Sequence, residues 1–265
     1  MGKGMIFDTH AHYDDEAFDA DREELLDGMA ACGIGSIVNA CASIKSLTTT
    51  PALARTYPFV YAAVGIHPDD AGQVTDEILE KIRELTDQEK VVAVGEIGLD
   101  YYWHKEEEEH RIQQKVFRSQ MEIAREKGLP FIVHSRDARQ DTLDIVREYV
   151  QRGMTGGIIH CFSYGEELAR EYIQMGLFLG IGGVVTYKNA RKLPEVVSMT
   201  PLSQLVLETD CPYLSPVPER GKRNDSSKLP LVVRKIAEIK GVDEETVIRT
   251  TQENAEKLFS IKVLA

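Results

Sequence analysis

Short runs of apolar and β-branched residues recur along the chain at Met5–Asp8, Ser36–Ala40, Phe59–Val64, Val91–Gly95, Pro130–Val133, Gly157–Ile159, Leu177–Ile181 and Leu205–Leu207. Each is short enough, and apolar enough on both faces, to be a buried strand. Stretches with apolar residues at helical spacing lie between them: Arg22–Ala31, Thr75–Leu85, Glu107–Lys127, Thr142–Gln151, Glu166–Met175 and Asn189–Met199. Lys228–Lys240 and Asp243–Phe259 read as C-terminal helices on the outside. Asp243 is placed to cap the last one, with Glu244 and Glu245 favouring its positive end.

Alternating strands and helices imply a parallel sheet with crossover helices. Eight such units in 265 residues predict an α/β fold, a slightly distorted (β/α)8 TIM barrel, although a doubly wound sheet accommodates the same count. No internal repeat, low-complexity tract or linker divides the chain, so a single barrel domain over 1–265 is expected.

Composition narrows the class. Hydrophobic residues at 43% and charged residues at 28% describe an ordinary globular chain. No run approaches the roughly 18 apolar residues of a membrane span, and Met1–Asp8 has no basic segment followed by a long apolar stretch. A cytoplasmic protein without a membrane is expected, with no stable protein partner. Cys32, Cys41, Cys161 and Cys211 are widely spaced, contain no CxxC pair and read as reduced. The net charge of −12 disfavours a large electropositive docking face for duplex nucleic acid but leaves room for a local basic cleft.

The polar residues at the strand ends carry the chemistry. His10-Ala11-His12 places two imidazoles on one face of an extended segment. Against the strand pattern, His10 and His12 follow the first strand, His67 the third and Asp210 the eighth, while Glu96, His134 and His160 close the fourth, fifth and sixth. In a barrel, all of these fall on the C-terminal rim where reactive groups collect. His10, His12, Glu96, His134, His160 and Asp210 are imidazoles and carboxylates only, a donor set suited to Zn, Mn, Fe, Co or Ni, whereas a pure Mg site prefers oxygen. Six side chains suffice for two divalent metal ions if Glu96 bridges them. Two metals about 3.5–4 Å apart hold a hydroxide and polarise the bond to be cut, which implies hydrolysis. Asp210 is placed to accept a proton from the attacking water.

The residues also resemble a known family. Ile-Phe-Asp-Thr-His-Ala-His at 6–12, Gly-Ile-His-Pro at 65–68, Gly-Glu-Ile-Gly-Leu-Asp-Tyr at 95–101, Val-His-Ser-Arg at 133–136 and Leu-Glu-Thr-Asp-Cys-Pro-Tyr-Leu at 207–214 look like the signatures of the TatD family of metal-dependent deoxyribonucleases. The similarity runs in order from Asp8 to Asn254. It implies an amidohydrolase-like barrel, two divalent ions (Zn, Mg, Mn, Ni or Co) and cleavage of DNA phosphodiester bonds, often from single-stranded or frayed 3′ ends. By matching motifs it assigns metal roles to the same six residues, with Glu96 bridging. Two positions depart from the pattern: Tyr164 stands where glycine is expected, and Asn224-Asp225-Ser226 replaces the usual continuation after Gly221-Lys222-Arg223.

Around this rim, His67, His104, Arg136, Arg220 and Arg223 are candidate substrate contacts, since imidazoles and guanidinium groups suit phosphate oxygens. Tyr101-Tyr102-Trp103 offers faces on which a base stacks, or packs the loop onto the barrel. Glu208, two residues before Asp210, is expected to orient a ligand histidine or a metal-bound water. His110 reads as a solvated surface residue, and Cys161 and Cys211 as small packing residues. No Gly-x-Ser-x-Gly elbow, Walker loop or dinucleotide glycine fingerprint occurs. A competing reading keeps the barrel and metals but changes the bond, to an ester or amide such as that of a D-aminoacyl-tRNA.

Overall fold

The computed structural model describes residues 4–261; the remaining residues of the expected domain, 1–3 and 262–265, lie outside it. Eight parallel strands pair in sequence order: β1 Ile6–Ala11, β2 Ile34–Ala40, β3 Val60–Val64, β4 Val91–Asp100, β5 Phe131–Arg136, β6 Gly157–Ile159, β7 Phe178–Ile181 and β8 Leu205–Leu207. The helices connecting them are α1 Arg22–Asp27, α2 Ser46–Thr56, α3 Asp76–Leu85, α4 Glu107–Lys127, α5 Arg139–Gln151, α6 Glu166–Gln174 and α7 Lys192–Met199, followed by α8 Leu229–Lys240 and α9 Glu244–Phe259. This is a (β/α)8 barrel.

The barrel closes tightly but not by a full ladder. Ala11 bridges Cys211, the His12 amide donates to the Cys211 carbonyl at 2.9 Å, and the Asp210 amide donates to the His10 carbonyl at 2.9 Å. Backbone hydrogen bonds at the seam therefore come from the very residues that carry side-chain donors.

Two apolar layers support the sheet. Helix residues such as Phe117, Met121, Ile145, Val196 and Val233 pack on the outer strand positions. Alternate strand residues form a second, smaller cluster, including Phe7, Val38, Ala63, Ile132, Ile158 and Val206, reached from one end by Ala255 and Phe259 of α9. Phe7 and Phe259 stack at 5.8 Å. Ile132, Ile158 and Val206 stand two residues before His134, His160 and Glu208, so the same strand face changes from apolar filling to polar donors toward its C-terminal end.

Several boundaries move for a physical reason. β1, β4 and β5 run on to Ala11, Asp100 and Arg136, beyond the apolar stretches at 5–8, 91–95 and 130–133. These extensions bring in His10, Glu96, Asp100 and His134, polar because they face the barrel mouth, where a polar side chain has a partner. The second connection is the helix α2, unforeseen because Thr48, Thr49, Thr50 and Pro51 are poor helix formers. Leu47, Thr50, Pro51 and Ala54 form its buried face, at i, i+3, i+4 and i+7, and α2 packs on β3. Asp243 caps α9 through its carboxylate, which accepts from the Thr246 amide at 2.7 Å. Among the described residues, no helix is long and apolar enough to cross a membrane, and all four cysteines are free.

Candidate metal centre

His10, His12, Glu96, His134, His160 and Asp210 meet at the strand ends. The two oxygens of Glu96 face different neighbours: Oε2 lies 3.2 Å from His10 Nε2 and 3.6 Å from His12 Nε2, while Oε1 lies 2.9 Å from His134 Nδ1, 3.7 Å from His160 Nε2 and 3.8 Å from His67 Nε2. Asp210 Oδ1 completes the first side, 3.3 Å from His12 Nε2, 3.6 Å from His160 Nε2 and 3.8 Å from His10 Nε2. His10 and His12 approach through Nε2 at 3.1 Å, and His10 stacks on His160 with centroids 3.6 Å apart.

Neighbouring groups aim these rings. His12 Nδ1 donates to the Ala40 carbonyl at 2.9 Å, and His160 Nδ1 donates to Glu208 Oε2 at 3.0 Å, so each turns Nε2 to the centre. Glu208 Oε1 also accepts from the Cys161 amide at 2.6 Å. Gly180 makes room for that carboxylate, because a Cβ there would lie 2.1 Å from Glu208 Oε2. Gly98 does the same for the β4–β5 approach: at φ +146°, its Cβ would lie 2.0 Å from the His134 carbonyl oxygen. Asp210 and Cys161 hold left-handed backbone at φ +57° and +44°, a conformation that costs a non-glycine residue energy and is kept here beside the donors.

The electrostatics call for positive charge. Burial raises the Glu96 carboxyl, yet the surrounding imidazoles of His10, His160 and His67 hold it well below the carboxylate range; Asp210 is held down in the same way by His160 and His12. Burial pulls His12, His134 and His160 down, and their carboxylate neighbours outweigh it, pushing them up to about 9, 10 and 9. Burial and the nearby His160 lower His10 instead. A buried pair of carboxylates ringed by imidazole nitrogens needs either protons on those rings or a cation among them. The donor chemistry fits divalent ions, with His10, His12 and Glu96 forming one close group, His10, His160 and Asp210 another, and His67, Glu96 and His134 a third.

Residues without an expected role also matter. Asp8 is wholly buried and ties β1 to the segments after β8: its carboxylate accepts from the Thr209 amide and hydroxyl at 3.0 and 2.7 Å, the Ser226 hydroxyl at 2.6 Å and the His10 amide at 3.3 Å. Asp100, four residues after Glu96, lies 3.3 Å from His134 Nε2 through Oδ2, while its Oδ1 accepts from the amides of Tyr102 and Trp103 at 2.9 and 3.0 Å. The two-residue period of a strand reaching past Gly95 was the signal for Asp100.

The expected substrate contacts divide. His67 lies beside Glu96 and His134, with its Nδ1 3.3 Å from Asp69. Arg136 is exposed on the rim over Tyr102, and Arg220 is exposed over Tyr187 at 4.5 Å. Two others are turned to internal partners. Arg223 makes a two-pronged pair with Asp21 at 2.6 and 2.8 Å and lies over the Phe18 ring, because a guanidinium fork satisfies a carboxylate best with both prongs. His104 has both ring nitrogens taken, by Asp69 and Glu109 at 3.1 Å each. His110 is not simply solvated: it stacks on Tyr101 at 3.6 Å and hydrogen-bonds the His104 carbonyl. The loop around Arg220–Arg223 is tied down by Ser215 Oγ donating to the Lys222 carbonyl and the Asn224 amide donating to the Pro212 carbonyl.

Residues 7–260 match the family model of the TatD related DNases. The chain is 45% identical to the uncharacterized metal-dependent hydrolase YabD of Bacillus subtilis, over 97% of this chain and 100% of that relative. It is 32% identical to the 3′-5′ ssDNA/RNA exonuclease TatD of Cronobacter sakazakii, over 96% and 97% of the two chains. The crystal structure of YJJV, a TatD homolog from Escherichia coli K12, superposes with a TM-score of 0.89 at 30% identity, covering 97% of this chain and 98% of that one. The protein therefore belongs to the TatD related DNase family and is a TatD-type metal-dependent hydrolase.

Proposed function

We propose that this hydrolase cuts phosphodiester bonds in DNA, acting from single-stranded or frayed 3′ ends, with its barrel working as one domain over 1–265 in the cytoplasm. The observation that carries the two-metal form of this reading is the split of Glu96, whose two oxygens face two separate sets of imidazoles. His10, His12, Glu96 and Asp210 would hold one divalent ion, and Glu96, His134 and His160 the other. Bound there, such ions supply Lewis acidity and lower the pKa of water. Asp210 accepts the proton of the attacking water at its carboxylate, which its imidazole neighbours keep ionised. Glu208 holds His160 in the tautomer that points Nε2 inward. His67 and Arg136 meet the phosphate from the open side of Glu96, and Arg220 meets it from across the mouth.

Single-stranded oligonucleotides labelled at the 5′ or 3′ end test this reading directly. Chelation is expected to abolish cleavage, and Asp210→Asn to lower kcat by about 10²–10⁴-fold, the usual worth of a positioned proton acceptor. Progressive shortening should begin at the 3′ end. Unchanged cleavage after both treatments would overturn the mechanism; resistance of DNA together with hydrolysis of aminoacyl esters would overturn the substrate.

A further inference from the structure

Trp103 is the only tryptophan of the chain, and 65% of it is exposed. Tyr102 beside it is 41% exposed. Large aromatic rings gain most from leaving water, so two neighbouring exposed ones are unusual unless something covers them in use. These two are held firmly in place. Their amides both donate to one oxygen of the buried Asp100 carboxylate, whose other oxygen lies 3.3 Å from the ring of His134. A single carboxylate thus joins the backbone of the aromatic pair to the metal centre.

Cations surround the rings. The Arg136 guanidinium lies 4.0 Å from the Tyr102 ring centroid and 5.5 Å from that of Trp103, and Lys105 Nζ lies 5.1 Å from Tyr102. Among the described residues, Arg136 forms no ion pair, so its charge is available on a chain that is otherwise strongly acidic. The two rings stand edge to face, 4.7 Å apart at 83°, so the guanidinium sits closer to Tyr102 and leaves 65% of Trp103 exposed.

We propose that Trp103 is a stacking platform for one unpaired nucleobase of the substrate strand, with Arg136 and Lys105 holding the adjoining phosphates. An indole face, a cation within reach of the next phosphate and a position at the mouth suit a nucleotide; a base held in a duplex has its faces stacked already and is not offered to Trp103. The platform selects single strands by stacking rather than by reading base edges, and tolerates any base. It rests on the phosphodiesterase reading above and adds to it the group that sets strand preference.

Because Trp103 is the sole indole, its emission reports on this surface. The metal-loaded enzyme is titrated with a phosphorothioate single-stranded oligonucleotide and with an abasic oligomer of the same length and charge. Quenching by the base-containing strand alone is expected. Trp103→Ala should raise KM for single-stranded DNA by about tenfold, with kcat within about twofold, and erase the preference over the abasic strand. Trp103→Phe should restore most of the affinity, and metal content should not change in either variant. Cleavage of DNA with equal quenching by both oligomers, or with KM unmoved in Trp103→Ala, overturns the platform and leaves the phosphodiesterase reading intact. Absence of both cleavage and binding overturns the two together.

Discussion

On the β1–β8 side of the centre, His10, His12, His160 and Glu208 are buried, their orientations set by the Ala40 carbonyl, by Glu208 and by the Asp8–Thr209–Ser226 hydrogen bonds. On the β3–β5 side, His134 and His67 keep 18% and 13% of their side chains exposed, and their neighbours lead outward through Asp100 to Trp103 and through Asp69 to His104. The chemistry of the residues is the same on both sides, imidazoles around carboxylates, but the surroundings differ. The closed side keeps its imidazoles and Glu208 away from water, with Asp210 reaching it through 19% of its side chain. The open side shares its carboxylates with a rim that a substrate can reach.

The contrast can be broken most strongly at Glu208. Replacing it with glutamine keeps the shape but removes the charge behind His160, and is expected to weaken metal affinity about 10–100-fold, read by competition with a chelator of known affinity. An equal loss from Asp100→Asn on the open side would erase the distinction between the halves.

A smaller effect is expected at Ser226. Burial pushes the Asp8 carboxyl up to about 7, opposed by hydrogen bonds from Ser226, Thr209 and the His10 amide. Ser226→Ala removes one donor from that carboxylate and a partner from the Tyr13 hydroxyl, 2.7 Å away. The protein should lose about 1–3 kcal/mol in urea unfolding. A change below about 0.5 kcal/mol would mean that the closed side relaxes as readily as the open one.

The smallest effect belongs to the outer clasp of the open side. Burial lowers the His104 imidazole, but Glu109 and Asp69 outweigh it and raise its pKa above 6.5. A histidine raised in the folded state contributes stability that is fully present below 6.5 and is lost as pH rises through the folded value. The Tm difference between the protein and His104→Asn should therefore shrink from pH 6 to pH 9, by a few degrees at most, since the group is partly exposed. A difference that stays constant or grows with pH would show that the imidazolium is not what holds the clasp.

Much of this was legible in the chain. Eight apolar runs alternating with helical periodicity foretell the barrel, and Glu96, His134 and His160 at the ends of such runs foretell the rim, since every strand of a parallel barrel delivers its C-terminal end to one face. Three things were not. α2 hides behind Thr48–Pro51, where packing on β3 overrides local preference. Asp100 hides because an apolar criterion ends β4 at Gly95, though the strand continues into polar residues with partners across the mouth. Arg223 looks like a free cation until Asp21, about 200 residues away, is seen to engage it in two hydrogen bonds.

The sequence by itself determined the strand count, the alternation that makes the sheet parallel, and the imidazole and carboxylate donors, because these depend on residue type and local period. Only the tertiary structure decided how the oxygens of Glu96 divide between two sets of rings, which of the rim cations are spent on internal carboxylates, and that Trp103 stands exposed on the rim with its amide tied through Asp100 to His134. Those outcomes depend on distances between segments far apart in the chain, and closure of the barrel sets them.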